Sequence, residues 1–323
     1  MKNAAALFMI LVVTTAMIPQ HTSAQQTTVS FQLFYDELSP YGMWVEYPDY
    51  GYVWIPNSDP GFSPYGTDGH WVYTVDGWMW VSDYPWGWAA FHYGRWDYDN
   101  EVGWFWVPDN VWGPAWVSWR RSPGYYGWAP LRPGISISIA FGSNYYEQND
   151  RWIFVRESDI VRNDVSRHYI SRSRNRAIIR TSSVISNSRN DEMHNAVYIA
   201  GPDREEVQRT TRVRVDPVTV REHDRPGQRL QKNEIQLYKP QMERRTGSGQ
   251  NPAPAKVIRK SEVRPIREHN APNQPQNVVP SKGKRTPPPQ QQPKITPQTR
   301  KRTTEPPANE SPREKKQPKK RQQ

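Results

Sequence analysis

The tryptophans come in a repeating frame, and that frame limits the folds open to the chain. "YGMWVEYPDYGYVWIP" (41–56), "DGHWVYTVDGWMWVS" (68–82) and "YGRWDYDNEVGWFWVP" (93–108) share one order of residues. Each reads glycine, any residue, tryptophan, a short link containing polar residues, then glycine, aromatic, any residue, tryptophan, and isoleucine or valine. A degenerate fourth copy runs through "PAWVSWRRSPGYYGWAP" (114–130). Taking Trp44, Trp71, Trp96 and Trp116 as the leading rings, the spacings are 27, 25 and 20 residues, within the range of small stacked repeats.

Each copy has the pattern of a β-hairpin. Asp76-Gly77 lies between alternating apolar residues, the signature of a two-residue turn in which glycine takes a positive φ at little cost. Tyr50-Gly51 and Val102-Gly103 occupy the matching places. Residues two apart on a strand share a face, so Trp78 with Trp80, and Trp104 with Trp106, point the same way. One hairpin alone is marginal in water, so the units must pack on one another; barrel, stacked sheet and propeller-like ring all remain open.

Area decides what most of these rings do. Fourteen tryptophans lie between Trp44 and Trp128, and at about 200 Å² each they carry on the order of 2,800 Å² of surface. A monomer rarely exposes an apolar patch beyond a few hundred Å². The rings are therefore expected to form a core. Trp86 and Trp88 lie in the link between the second and third units, without equivalents elsewhere, and are the expected exposed pair, a candidate aromatic platform for a sugar face.

The charge of +11 is unevenly spread. Residues 25–150 carry fourteen acids against four arginines, a net of −10; 151–250 carry +7; and 251–323 carry +13. The last stretch holds fifteen prolines and nine glutamines, and no Phe, Trp or Tyr follows Tyr238. With so little to bury it cannot offset an ordering cost of roughly 1 to 2 kcal/mol per residue, so it is expected to be disordered. Its clusters "RKSEVRPIREHN", "SKGKRTPPPQ" and "REKKQPKKRQQ" suit contact with anionic surfaces. At the other end, Lys2, an apolar run from Ala4 to Ile18 and "HTSA" before Gln25 have the layout of a secretory signal peptide. The apolar run is shorter than the ~20 residues of a membrane span, and no later segment approaches that length. Cysteine is absent, so disulfides and thiolate metal sites are excluded.

The expected fold is mainly β: a signal peptide (1–24), one compact domain of Trp-rich β-hairpin repeats (25–134), a small basic α+β extension (135–238) and a long disordered Pro/Lys/Gln-rich tail (239–323). In the extension, "RWIFV", "RAIIR" and "NAVYIAGP" read as strands, "SDIVRNDVSRHYI" as short helical turns and "PDREEVQR" as a helix opened by Pro202 with acids in its first turn. Order is expected to fade between Val220 and Tyr238.

At "SPYG", "GYVWIP", "GWMWVSDYPWGWAAFHYGRW", "GWFWVP", "VWGPAWVSWR" and "GWAPL" the chain resembles a family of exported, Trp-rich bacterial proteins with repeated "PWGWAPYHYGRW"-type segments, classed as a domain of unknown function. "RWIFV" and "GPDREEV" resemble the portion that follows the repeats there, so the likeness covers about 38 to 215. It implies an envelope or secreted setting in a Gram-negative-type bacterium. It carries over neither an activity nor functional residues.

Reactive chemistry is thin. His70 and His92 would need Asp83 or Asp97 to hold a metal, and their spacing favours a hydrogen-bonded structural role. "DYDNE" (97–101) lacks the glycine and distal glutamate of an EF-hand loop and reads as a solvated turn. No Gly-x-Ser-x-Gly elbow, phosphate loop or His-Glu-x-x-His is present. No catalytic residue, metal ligand or cofactor is therefore assigned. The expectation is an exported, non-enzymatic interaction or scaffold protein of the periplasm or cell envelope, touching peptidoglycan or another envelope glycan or polyanion. A carbohydrate-active enzyme with an acidic pair, and self-association between acidic domain and basic tail, are the other two readings.

Overall fold

A computed structural model describes residues 28–142, 147–191, 196–243 and 252–263. The expected signal peptide, and the tail beyond 263, lie outside the described residues. The fold is mainly β, as expected. Each repeat is a hairpin: β1 (Gly42–Tyr47) with β2 (Gly51–Pro56), β3 (Gly69–Thr74) with β4 (Gly77–Ser82), β5 (Tyr93–Asp99) with β6 (Gly103–Trp112), and β7 (Val117–Ser122) with β8 (Tyr125–Pro130). A helix α1 (Gln32–Leu38) precedes them, and α2 (Gly87–Ala90) links the second hairpin to the third.

The registers explain the repeating frame. In every hairpin the two tryptophans of the frame are direct cross-strand partners: Trp44 with Trp54, Trp71 with Trp80, Trp96 with Trp106, Trp119 with Trp128. The leading ring of the fourth unit is thus Trp119, not Trp116, which makes the period more even. The glycine two places before the leading ring has a packing role, because the partner tryptophan lies across its backbone. A methyl built on Gly42 would come within 2.5 Å of the Trp54 indole nitrogen, and one on Gly69 within 2.7 Å of the Trp80 ring. The turn glycines sit one place later than expected. The loop of the second hairpin is Val75-Asp76, and Gly77 opens the return strand at φ +103. This is an ordinary turn followed by a left-handed residue, which suits the twist of the strands.

Consecutive hairpins are not sheet neighbours. The first and third share a five-stranded sheet of order β16-β1-β2-β6-β5, in which β2 and β6 meet at Trp54 and Trp106 and β16 is Val257–Arg259. The fourth joins β9 (Ile153–Arg156) and β10 (Ser183–Val184) in the order β10-β7-β8-β9, and the second forms a two-stranded sheet. The second and fourth meet through their rings, Trp71 lying 4.6 Å from Trp119 and 5.4 Å from Trp128.

The extension is not a separate lobe. One buried cluster runs from Phe31 to Met242 and takes in Val155, Tyr198, Val207 and Leu237 beside the tryptophans. Trp78 donates its backbone N–H to Ala200 and its indole N–H to Pro202, both at 2.9 Å. After α3 (Ile137–Phe141), "RAIIR" is not a strand but the end of α4 (Arg172–Arg180). Asn175 and Ile178, three apart, turn inward together, and the Asn175 amide donates to the carbonyls of Asn149 and Trp152. The hairpin β11 (Ser188–Asp191)–β12 (Ala196–Ile199) and α5 (Arg204–Thr211) follow, α5 capped by the Asp203 carboxylate. Order does not fade after Val220. β13 (Thr219–His223), β14 (Gln228–Gln231) and β15 (Glu234–Tyr238) form a sheet that buries Ile235 and Leu237.

Part of the stretch assigned to the tail is also built in. β16 adds in parallel to the edge of β1, pairing Trp44, Val45 and Glu46 with Val257, Ile258 and Arg259. Ile258 and Val263 cover a second, smaller core made of Val45, Val53, Ile55, Val102 and Phe105. The Lys260 ammonium clasps the strand, 2.6 Å from an Asp99 oxygen that also accepts from the Tyr47 hydroxyl at 2.7 Å. Burial pushes the Asp99 carboxyl up, but Lys260, Tyr47 and two turn amides outweigh it and hold the group at about 2. Because that lies below the unfolded value, the clasp is intact at neutral pH and is lost only as pH falls below about 4 toward 2. Lys260→Met is expected to speed hydrogen exchange in 257–259 and leave β5 and β6 unchanged. Equal exchange in both proteins would show that the strand holds without its lysine.

Candidate functional site

All but one of the fifteen tryptophans are buried. The exception is Trp104, half-buried near the tip of the third hairpin. Its cross-strand partner is Tyr98, 36% exposed, with ring centres 5.3 Å apart and planes at 70°. The local sequence places the pair there. Asp99 closes the turn by accepting from the amides of Glu101 and Val102, and Gly103 begins the return strand at φ +79. The Trp96–Trp106 pair, two residues further into the strands, is already inside the core. The strands outrun the core by one cross-strand pair, and that pair is Tyr98 and Trp104.

Charged groups fix the back of this shelf. Arg151 lies 5.9 and 5.8 Å from the Tyr98 and Trp104 ring centres, within cation–π range. Its guanidinium is held by Asp97 and by the buried Glu147, each at 3.1 Å, and Glu147 also binds Arg132 at 3.1 Å. With the planes at 70°, one ring can stack on a flat, mostly apolar face while the other meets its edge, and the anchored charge behind holds both in place. Asp97 and Asp99, which flank Tyr98 in the chain, are both tied into ion pairs.

The expected platform is overturned. Trp86 and Trp88 are 3% and 2% exposed. Trp86 stacks between Tyr84 at 4.5 Å and Phe91 at 5.4 Å, while Trp88 packs on Tyr238 at 5.1 Å. The link folds inward because α2 carries Ala89 and Ala90 into the core and brings both rings with them.

The histidines take structural places. His92 is fully buried, with Nδ1 3.0 Å from the Gly113 carbonyl and Nε2 3.3 Å from the Gln228 side-chain oxygen. Burial pulls its pKa down to about 4 against those two contacts. Burial likewise lowers that of His70. Among the described residues no group of three His, Asp or Glu side chains is placed to hold a metal ion.

Of the two residues missed, one has a physical signal in the sequence. Trp104 stands opposite Tyr98 beside "DYDNE", the most acidic link of the repeats, which keeps that hairpin tip in water. Arg151, far along the chain, has no local signal at all.

Residues 35–135, covering the four hairpins and the Tyr98–Trp104 shelf, match a family of unknown function, DUF6600. This is about a third of the chain, and it ends before Glu147, Arg151 and β16. Comparison with curated proteins and with solved structures gave no match. Among the described residues no helix is long and apolar enough to cross a membrane.

Proposed function

We propose that this is an exported, non-catalytic cell-envelope protein that holds a glycan chain against the Tyr98–Trp104 shelf. The observation that carries the reading is the exposure of one tryptophan in a chain that buries the other fourteen. Leaving a large aromatic in contact with water forgoes burial worth about 25 cal/mol per Å², and binding to a flat apolar face would recover it. Arg151 and its carboxylates hold the two rings from behind, so the shelf is set before a ligand arrives. Export is supported by the N-terminal layout of Lys2, the apolar run and "HTSA". The acids of the hairpin tip are occupied by Arg151 and Lys260, which favours binding over acid–base chemistry.

The test is retention of the full chain on purified peptidoglycan and on immobilised neutral glycans. Trp104→Ala is expected to weaken retention about tenfold, equivalent to ~1.4 kcal/mol, with an unchanged circular dichroism spectrum. No retention of the unaltered protein, or equal retention of the variant, would remove the glycan reading.

A further inference from the structure

A cleft of about 640 Å³ opens where the β1–β2 turn meets the segment that carries β16, and it is lined by Glu46, Tyr47, Pro48, Glu101, Arg259 and Lys260, with Ser261 at its rim. We infer that this cleft binds the zwitterionic head of an α-amino acid, with the carboxylate on Arg259 and the ammonium on Glu46. The surface is separate from the Tyr98–Trp104 shelf, and the inference does not rest on the glycan reading.

The charges of the cleft divide into two sets. Lys260 is used, at 2.6 Å from Asp99 and 3.7 Å from Glu101. Glu46 and Arg259 make no ion pair among the described residues, Arg259 meeting Glu262 only in the cap of the short helical turn that follows it. Both are exposed at the cleft mouth. They are in-register partners on adjacent parallel strands, so their side chains leave the sheet on the same face from backbones about 4.8 Å apart. Opposite charges so placed are expected to close on each other, yet no contact within 4.0 Å forms between them. A ligand with both charges on one carbon bridges that gap. The guanidinium fork takes a carboxylate through two parallel N–H donors, and the Glu46 carboxylate accepts from an ammonium. The remainder of the ligand would lie against the Tyr47 ring and Pro48, within reach of the Ser261 hydroxyl.

One half of the site belongs to β1 and the other to the added strand. A ligand bridging them must stabilise the docked strand, because it binds only when the two are together. With both charges exposed, the affinity is expected in the millimolar range and weakened by salt. Free amino acids and side-chain-linked diamino acids of a peptide share this head, and the arms of the test separate them.

The probe is leucine, titrated into the full chain at low salt with backbone NMR as readout, beside N-acetyl-leucine, leucinamide and a peptide carrying an unblocked diamino acid on its side chain. Leucine is expected to saturate, shifting the signals of Glu46 and of 259–261 and slowing hydrogen exchange in 257–259. Blocking either end of leucine should weaken binding at least about fivefold. Glu46→Gln and Arg259→Gln should each do the same without moving the melting temperature, and Trp104→Ala should leave leucine binding unchanged. Stronger binding of the peptide than of leucine would assign the head to a linked diamino acid. No saturable shift from either, equal response to the blocked compounds, or loss of leucine binding in Trp104→Ala would overturn the inference.

Discussion

Gly94→Ala is expected to destabilise the protein by about 3 kcal/mol or more, the sum of two separable effects. Gly94 holds φ +68, where a Cβ meets the following carbonyl. Its backbone also lies under the partner tryptophan: a methyl there would press on the Val107 carbonyl and come within 2.8 Å of the Trp106 indole nitrogen. That nitrogen donates to the Tyr93 carbonyl at 2.6 Å, so the ring cannot move aside without losing a buried hydrogen bond. Two other frame glycines separate the terms. Gly51 has φ +72 with open space around it, so Gly51→Ala isolates conformation and should cost about 1 kcal/mol. Gly42 has extended backbone, open to any residue, but lies against the Ile55 carbonyl and the Trp54 indole, so Gly42→Ala isolates close approach and should cost about 2 kcal/mol. Denaturant midpoints should fall in the order Gly94→Ala, Gly42→Ala, Gly51→Ala, the first lowest. A Gly42→Ala midpoint equal to that of the unaltered protein would show that the partner strand and its indole leave room at the glycine, against the packing role given to it.

The hairpins were readable because their information is local: alternation, a glycine after the turn, and a ring on each strand all fall within sixteen residues. What escaped depends on distant partners or on averages. Trp86 and Trp88 look out of place because the other units lack them, yet the Ala89-Ala90 pair beside them is small and apolar and allows the link to dive inward. Val257–Arg259 vanishes in the composition of a basic, proline-rich stretch, since two apolar residues hardly change a mean over seventy. What makes them a strand is the free edge of β1, more than two hundred residues earlier. The Tyr98–Trp104 pair was visible as residues but not as a surface. Exposure there follows from where the core stops, and the core is closed by Phe34, Tyr238 and other rings from outside the repeats.

Acidification from pH 7 to about 4 should remove roughly 3 kcal/mol of stability through His92 alone. The imidazole packs on Trp112 with ring centres 5.8 Å apart, and the Lys239 ammonium lies 3.9 Å over the far ring, so both an apolar wall and a like charge oppose protonation. The Gly113 carbonyl and the Gln228 amide favour the cation, but burial is the larger effect and takes the pKa from 6.5 to about 4. A folded value below the unfolded one means that the unfolded chain takes up the proton first. The contribution is therefore complete above pH 6.5, declines as the solution is acidified, and is gone below about 4. His92→Asn places an amide near the Nδ1 position, can still donate to Gly113, and does not titrate. Its stability at pH 7 should be lower, because the ring no longer fills the space beside Trp112. The decisive quantity is the slope: between pH 7 and 4.5 the unaltered protein should lose about 2 kcal/mol more than the variant, read as the difference in denaturant midpoints at constant m-value. Parallel pH profiles would mean that His92 accepts its proton within the fold, with both nitrogens donating, and that the Gly113 and Gln228 oxygens compensate for burial.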